Sequence, residues 1–145
     1  MMRSDTIATL ESEFGEFQRS RAEGVPQEEI DAAARLLGLL FPDDYQEFLR
    51  RYGGAVVGPY EIFGLRKAKA MGNLFSVVEA TNEFRTCEIP ETMNWLIVSG
   101  DHSGNWVGIT PEGAVKKWDH DFGEFVDLAD SFESYIRRVC SELPD

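Results

Sequence analysis

The chain has 145 residues, a length typical of one domain, and 43% of them are hydrophobic, which is enough for a buried core. Asp and Glu outnumber Lys and Arg by 26 to 14, and the net charge of −12 disfavours nucleic acid and anionic membranes as direct ligands. The sequence contains neither an N-terminal signal-peptide pattern nor an apolar run of about 18 residues, so we predict a cytoplasmic protein.

Apolar residues at spacings of three and four predict three helices in the first half of the chain. The first helix follows Ser4 as a cap, and its apolar residues are Ile7, Leu10, Phe14 and Phe17. The second begins at Pro26 and ends near Gly38. The third begins at Pro42 and ends at Gly53-Gly54, because glycine adopts the left-handed conformation that ends a helix. Its apolar stripe consists of Tyr45, Phe48, Leu49 and Tyr52.

The second half combines strands with two further helices. The segment from Val56 to Leu65 reads as one or two strands with a turn, and Asn73 is the predicted cap of a fourth helix that ends before Pro90. Three strands follow at Trp95–Ser99, Asn105–Thr110 and Gly113–Trp118. Residues 119–130 are expected to form a loop. A capping box of Asp130 and Glu133 then opens a last helix, whose apolar face extends to Leu143. These elements predict an α+β domain with a central, mostly antiparallel sheet flanked by helices.

Catalytic and metal-binding patterns are weak in this sequence. Phosphate-binding glycine loops and nucleophile elbows are absent, and Cys87 and Cys140 have no metal-ligand spacing, so we expect reduced thiols, no cofactor and no enzymatic activity. One metal site stays open as a hypothesis, in a hydrolase that would use Asp101, His102, Asp119 and His120. The alternative is that these residues build hairpin turns, since Asp, Asn, Ser and Gly favour turns.

Carboxylates and apolar side chains are concentrated after Trp118. Seven acidic residues lie between Glu112 and Glu133, against only Lys116 and Lys117. An acidic rim around apolar anchors is typical of a protein interface. The alternatives are that the charge serves solubility alone and that the apolar residues tie the loop to the core. The predicted partner-binding residues are Asp101, Asp119, Asp121, Phe122, Glu124, Phe125 and Asp127.

Five segments follow one another along the chain: Leu36-Leu37-Gly38, the run from Phe41 to Leu49, Tyr52-Gly53-Gly54, Ser99–Asn105 and Val115–Asp121. In this order they resemble the SUKH superfamily, the domain of a fungal cell-wall-assembly regulator and of many bacterial immunity proteins. The resemblance covers roughly residues 25–140. We therefore treat residues 1–145 as one SUKH-like domain, with an N-terminal helix in residues 1–22 and a core in 25–140.

The resemblance implies a non-enzymatic immunity protein that neutralises a cognate polymorphic toxin, many of which are nucleases. A nuclease needs basic residues to hold its substrate, and an acidic inhibitor binds that same basic surface. A regulatory protein-interaction scaffold is the alternative, and the metal-dependent hydrolase is a third. Homo-oligomerisation stays open, because an apolar loop serves a homodimer as readily as a partner.

Overall fold

A computed structural model describes residues 2–16, 20–101 and 104–141 of the chain. Within these residues there are five α-helices, a short 3-10 turn at Pro90–Thr92 and six β-strands. The helices are α1 (Ser4–Glu16), α2 (Gln27–Leu37), α3 (Asp43–Tyr52), α4 (Val77–Arg85) and α5 (Phe132–Ser141). The strands are β1 (Ala55–Val57), β2 (Tyr60–Ile62), β3 (Leu96–Gly100), β4 (Trp106–Ile109), β5 (Val115–Asp119) and β6 (Glu124–Ala129).

The six strands form one antiparallel sheet in which strand order follows chain order from β1 to β6. Neighbouring strands are therefore joined by hairpins or by the longer connection through α4, and no crossover is required. The α+β prediction is confirmed. The predicted loop over residues 119–130 is wrong, because β6 occupies its second half and pairs with β5 as the last strand of the sheet.

Proline and glycine mark the boundaries of α2 and α3, but the prolines precede the helices and are not their first residues as predicted. Pro26 and Pro42 are extended and stand immediately before each helix. Gly38 and Gly53 end the two helices in the left-handed conformation, with φ of 68° and 72°. Two features at Gly53 exclude a side chain. Its φ is in the left-handed region, and an added Cβ would lie 2.0 Å from the carbonyl oxygen of Glu23.

The caps of the last two helices differ from the prediction. Ser76, rather than Asn73, caps α4, and its Oγ accepts from the backbone N–H groups of Val78 and Glu79. Ser131, rather than Asp130, caps α5 by accepting from the N–H of Ser134 at 3.0 Å. In both cases a nearer serine takes the role, because its hydroxyl reaches the first turn directly. The predicted apolar positions Phe17 and Leu143 lie outside the described residues.

Helices pack against both faces of the sheet. Trp106 and Val107 are adjacent on β4, so their side chains point to opposite faces. On one face, the ring of Trp106 packs against that of Phe84 of α4 in a tilted arrangement, with ring centroids 6.1 Å apart. On the other face, Val107 lies beside Tyr135 and Val139 of α5.

The centre of the core is an aromatic cluster between α3 and α5. Phe48 is fully buried and contacts the rings of Tyr45, Tyr52 and Phe132. Burial raises the pKa of Tyr45 well above its ordinary value, and its hydroxyl donates to the carbonyl oxygen of Phe63 at 2.6 Å. The apolar stripe predicted for α3 is thus confirmed as core.

Both thiols are free. Cys87 is exposed, whereas Cys140 is half-buried between α1 and α5, and burial raises its pKa to about 11. Among the described residues, no helix combines the length and the apolar character needed to cross a bilayer.

Candidate binding surface

The β5–β6 hairpin carries most of the residues predicted to bind a partner. Asp119 and Glu124 face each other at its end, and residues 120–123 form the turn. The Oδ1 atom of Asp119 accepts from the N–H groups of Asp121 (3.0 Å) and Phe122 (3.2 Å). Gly123, with φ of 64°, donates its N–H to the carbonyl oxygen of Asp119 at 2.8 Å. Asp119 therefore builds the turn, and its carboxylate is less available to a partner than the sequence suggested.

An aromatic cluster fixes the hairpin to the sheet. Phe125 lies opposite Trp118, with ring centroids 5.0 Å apart, and 5.5 Å from the ring of Trp95. Trp95 reaches it by lying across β4 at Gly108, where an added Cβ would come within 2.8 Å of the indole. Phe125 is 39% exposed, so it acts in part as the tie to the core that we considered as an alternative.

Phe122 differs from Phe125 in its surroundings. It lies at the tip of the turn, and its side chain is 77% exposed. Asp121 and Glu124, on either side of it, are also exposed. The hairpin tip is therefore a large apolar side chain between carboxylates, held on a short turn.

The remaining carboxylates differ in how they are paired. Asp127 lies on β6 with its side chain 86% exposed, 3.5 Å from the ammonium of Lys116. Asp101 lies at the end of β3, where it accepts from the backbone N–H and the side-chain amide of Asn105. Its Oδ2 is 3.2 Å from Lys117, on the sheet face that α5 covers.

The structure thus brings Asp119, Asp121, Phe122 and Glu124 together at the tip and places Phe125 and Asp127 along β6. Asp101 belongs to a different part of the surface.

The residues of the metal hypothesis are engaged in turn geometry. Asp101 and Asp119 organise the β3–β4 and β5–β6 hairpins. The ring Nδ1 of His120 contacts the side-chain oxygen of Asn105, and its Nε2 lies 3.2 Å from Asp121. His102 lies outside the described residues. Within the part of the chain that the structure describes, no group of three or more His, Cys, Asp and Glu side chains is arranged to hold a metal ion.

Three further exposed apolar residues were not predicted from the sequence. Leu36, Leu40 and Met93 are 73%, 96% and 39% exposed. The position of Leu36 could have been read from the sequence: it lies about 100° around the helix axis from Leu37, away from the buried face of α2 formed by Ile30, Ala33 and Leu37. The exposure of Leu40 and Met93 could not be read from the sequence, because both lie in loops, where apolar residues follow no regular spacing.

A family model, SUKH_5, described as SMI1-KNR4 cell-wall, matches residues 4–141. The match spans nearly the whole chain, so the chain belongs to this SUKH family. The resemblance derived from the helical and glycine segments is thereby confirmed. No curated protein matches the chain.

Proposed function

We propose that this SUKH domain is a non-enzymatic immunity protein that binds a cognate protein toxin in the cytoplasm and blocks it with the β5–β6 hairpin. SUKH-family domains are generally non-catalytic immunity or regulatory domains, which supports a binding role. The observation that carries the proposal is Phe122, a 77% exposed aromatic side chain between the exposed carboxylates of Asp121 and Glu124.

The chemistry of this tip suits a basic partner such as a nuclease domain. A nuclease holds its phosphate-rich substrate with Lys and Arg side chains, and carboxylates compete for those same groups. An aromatic side chain that enters a pocket is the usual source of binding energy at the centre of an interface, whereas surrounding charges mainly raise the association rate and set specificity.

The rigidity of the hairpin supports the same role. Binding costs less free energy when the recognition element is already ordered. Here the turn is held by Asp119 and Gly123, and β6 is held by the packing of Phe125 against Trp118 and Trp95. Phe122 is therefore presented on a preformed element and need not be ordered by the partner.

The test uses the toxin encoded beside this gene, or the nearest candidate in its neighbourhood. Binding is measured by calorimetry, and inhibition by the toxin's own activity in the presence of the full chain. The double variant Asp121→Lys and Glu124→Lys should weaken binding at least about tenfold and lose inhibition. Its matched control, Glu28→Lys with Glu79→Lys, changes the net charge equally on exposed helix positions and should retain both.

Two results would count against the proposal. Equal loss of binding in both double variants would show that net charge alone attracts the toxin, without a defined hairpin site. Full inhibition by the hairpin variant would show that the toxin binds another surface of the chain.

A regulatory scaffold is the second candidate, favoured by the cell-wall description of the matched family. In that role the same tip would bind a cellular protein. A neighbouring toxin gene whose product the chain inhibits supports the immunity role. Binding only to cellular proteins, with no effect on any neighbouring gene product, supports the scaffold.

A further inference from the structure

The two edges of the sheet differ in what covers them. Strand β1 is the edge at one end of the strand order, and β6 is the edge at the other. The chain itself covers β1, because Arg21 forms an antiparallel bridge with Ala55 on the side away from β2. Next to this bridge, the N–H of Ala22 donates to the carbonyl oxygen of Gly54 at 3.0 Å. In the part of the chain that the structure describes, the backbone of residues 124–127 of β6 pairs with β5 alone.

The far end of β6 is closed in another way. Its register against β5 shifts at Leu128, which is left over between the pairs of Asp127 and Ala129, as in a β-bulge. The carbonyl oxygen of Leu128 accepts from Nη1 of Arg138 in α5 at 2.8 Å. Bulges and covering side chains protect an edge strand from pairing with another chain. The open part of the edge is therefore residues 124–127, which begin directly at the hairpin tip.

The open part of the edge offers backbone groups to a further strand. In an antiparallel pair, the N–H and C=O groups of successive residues point alternately toward the neighbouring strand and away from it. Two of the four residues therefore direct both groups away from β5. The strand is also accessible, because Glu124, Phe125 and Asp127 are exposed and Val126 is only partly buried.

We propose that an extended segment of the toxin pairs with residues 124–127 as a further strand of the sheet. This inference rests on the immunity function proposed above and specifies how the partner is held. In strand addition, hydrogen bonds between the two backbones supply affinity, and the side chains beside them supply specificity. Phe122 then contacts the toxin beyond the end of the added strand.

The charges beside this edge indicate a basic segment. Strand β6 carries Glu124 and Asp127 and contains neither Lys nor Arg. The two residues are three positions apart, so their side chains point to opposite faces of the sheet. A partner strand with Lys or Arg on both of its faces places a cation beside each carboxylate, and such pairs between neighbouring strands are stabilising. The fitting segment has two basic residues an odd number of positions apart.

The same charges disfavour a second copy of this chain at the edge. Pairing β6 with β6 of another copy brings carboxylates together, and like charges across a strand pair are destabilising. The net charge of −12 adds repulsion between the whole molecules. Lys116 lies on β5, where it is already 3.5 Å from Asp127. The edge is therefore protected from self-association and open to a basic strand.

Amide hydrogen exchange, followed by NMR on the isotope-labelled full chain, tests strand addition. The probe is the toxin encoded beside this gene, added in excess. In the free chain, the outward-facing amides of residues 124–127 should exchange rapidly. In the complex they should exchange at least about tenfold more slowly, because they are bonded to the toxin backbone. The amide of Glu112, in the exposed turn at the other end of β5, is the control and should keep its rate.

A charge variant tests the basic character of the added strand. Asp127→Lys should weaken toxin binding at least about fivefold, measured by calorimetry. Its matched control, Glu79→Lys on an exposed position of α4, should bind like the wild type. Equal binding by Asp127→Lys and the wild type would overturn the assignment of a basic segment.

The outcomes for the strand and for the hairpin tip can be distinguished. Toxin binding without slower exchange in β6 would overturn strand addition and leave the binding role of Phe122 in place. Slower exchange in β6, together with full inhibition by the variant Asp121→Lys and Glu124→Lys, would support the added strand and count against the tip. A chain that binds no neighbouring toxin would overturn both.

Discussion

Two surfaces of this molecule expose large apolar side chains, and their surroundings differ. Phe122 projects from the β5–β6 turn between exposed carboxylates, whereas Leu40 borders a cleft lined only by uncharged residues. Exposed apolar area supplies binding energy in both cases, but the surrounding charge selects the partner. The comparison shows that two exposed apolar side chains can differ in the charge around them, and we expect that charge to decide which kind of partner each one suits.

The two surfaces are also supported differently. The hairpin is held mainly by short-range contacts, the hydrogen bonds of Asp119 and the packing of Phe125 against Trp118, with one longer-range contact between Phe125 and Trp95. The Leu40 surface depends on long-range contacts, since Arg85 reaches Leu37 across 48 positions of the sequence. Local changes should therefore damage the hairpin selectively, while both surfaces should be lost together when the common core fails.

The largest expected effect is a loss of stability of the whole domain, which would remove both surfaces together. Phe48 is fully buried against three aromatic rings between α3 and α5, and Phe48→Ala leaves a cavity there. We expect a loss of about 3–5 kcal/mol in the free energy of unfolding, measured by urea titration. Toxin inhibition should fall in parallel with the folded fraction. Should the variant not fold, Phe48→Leu provides a milder test, and a stable Phe48→Ala protein would contradict the position of the core.

Within the hairpin, the two phenylalanines should separate into a structural and a binding residue. Phe125→Ala loses contacts with two tryptophan rings and should cost about 1–2 kcal/mol of stability. Phe122→Ala, at a 77% exposed position, should change stability by no more than about 0.5 kcal/mol while weakening toxin binding. Thermal unfolding of both variants provides the measurement. Equal destabilisation would mean that the tip also packs on the sheet.

We expect a similar but smaller difference in stability effect between two acidic residues of the hairpin, Asp119 and Glu124. Asp119→Ala removes the acceptor for two backbone N–H groups and should cost about 1 kcal/mol, detected by urea unfolding. Glu124→Ala, its cross-strand neighbour, is the control and should be nearly neutral in stability. The turn geometry therefore gives Asp119 a structural role that its position in the sequence does not indicate.

The smallest effect concerns acid stability, which limits the pH range over which the two surfaces can be compared. Glu47 is buried, which by itself raises its pKa, but hydrogen bonds from the Met2 N–H and Arg51 lower it below the ordinary value of 4.5. A carboxyl with a lowered pKa in the folded state stabilises the protein above the unfolded value and loses that contribution as the pH falls through the folded value.

The experiment is urea unfolding between about pH 6 and pH 3. Glu47→Gln should reduce stability at pH 6 and flatten the decline below 4.5, because the variant has no carboxyl to protonate at this position. Glu28→Gln, at an exposed position, should follow the wild-type profile. Parallel profiles for wild type and Glu47→Gln would mean that other carboxylates set the acid limit.

Elements with strong local signals were predictable from the sequence. The stripe from Tyr45 to Tyr52 repeats at the helical period, and Pro42 and Gly53 mark its ends, so neighbouring residues alone define α3. Strand β6 was not predictable in this way. Its acidic residues obscure the alternation of a strand, and its position depends on pairing with β5 and on the contact of Phe125 with Trp95, a residue 30 positions earlier.

For the candidate sites the division is similar. Composition and the local concentration of carboxylates pointed to the segment after Trp118, because charge density can be read without coordinates. Only the tertiary structure separated Asp119, which holds the turn, from Asp121 and Glu124, which are exposed beside Phe122. Only the tertiary structure showed that Leu40 is exposed beside a cleft. The sequence cannot show this, because a leucine has the same hydrophobicity in a core and on a surface. Periodicity and charge are properties of neighbouring residues, whereas exposure depends on which distant segments pack together.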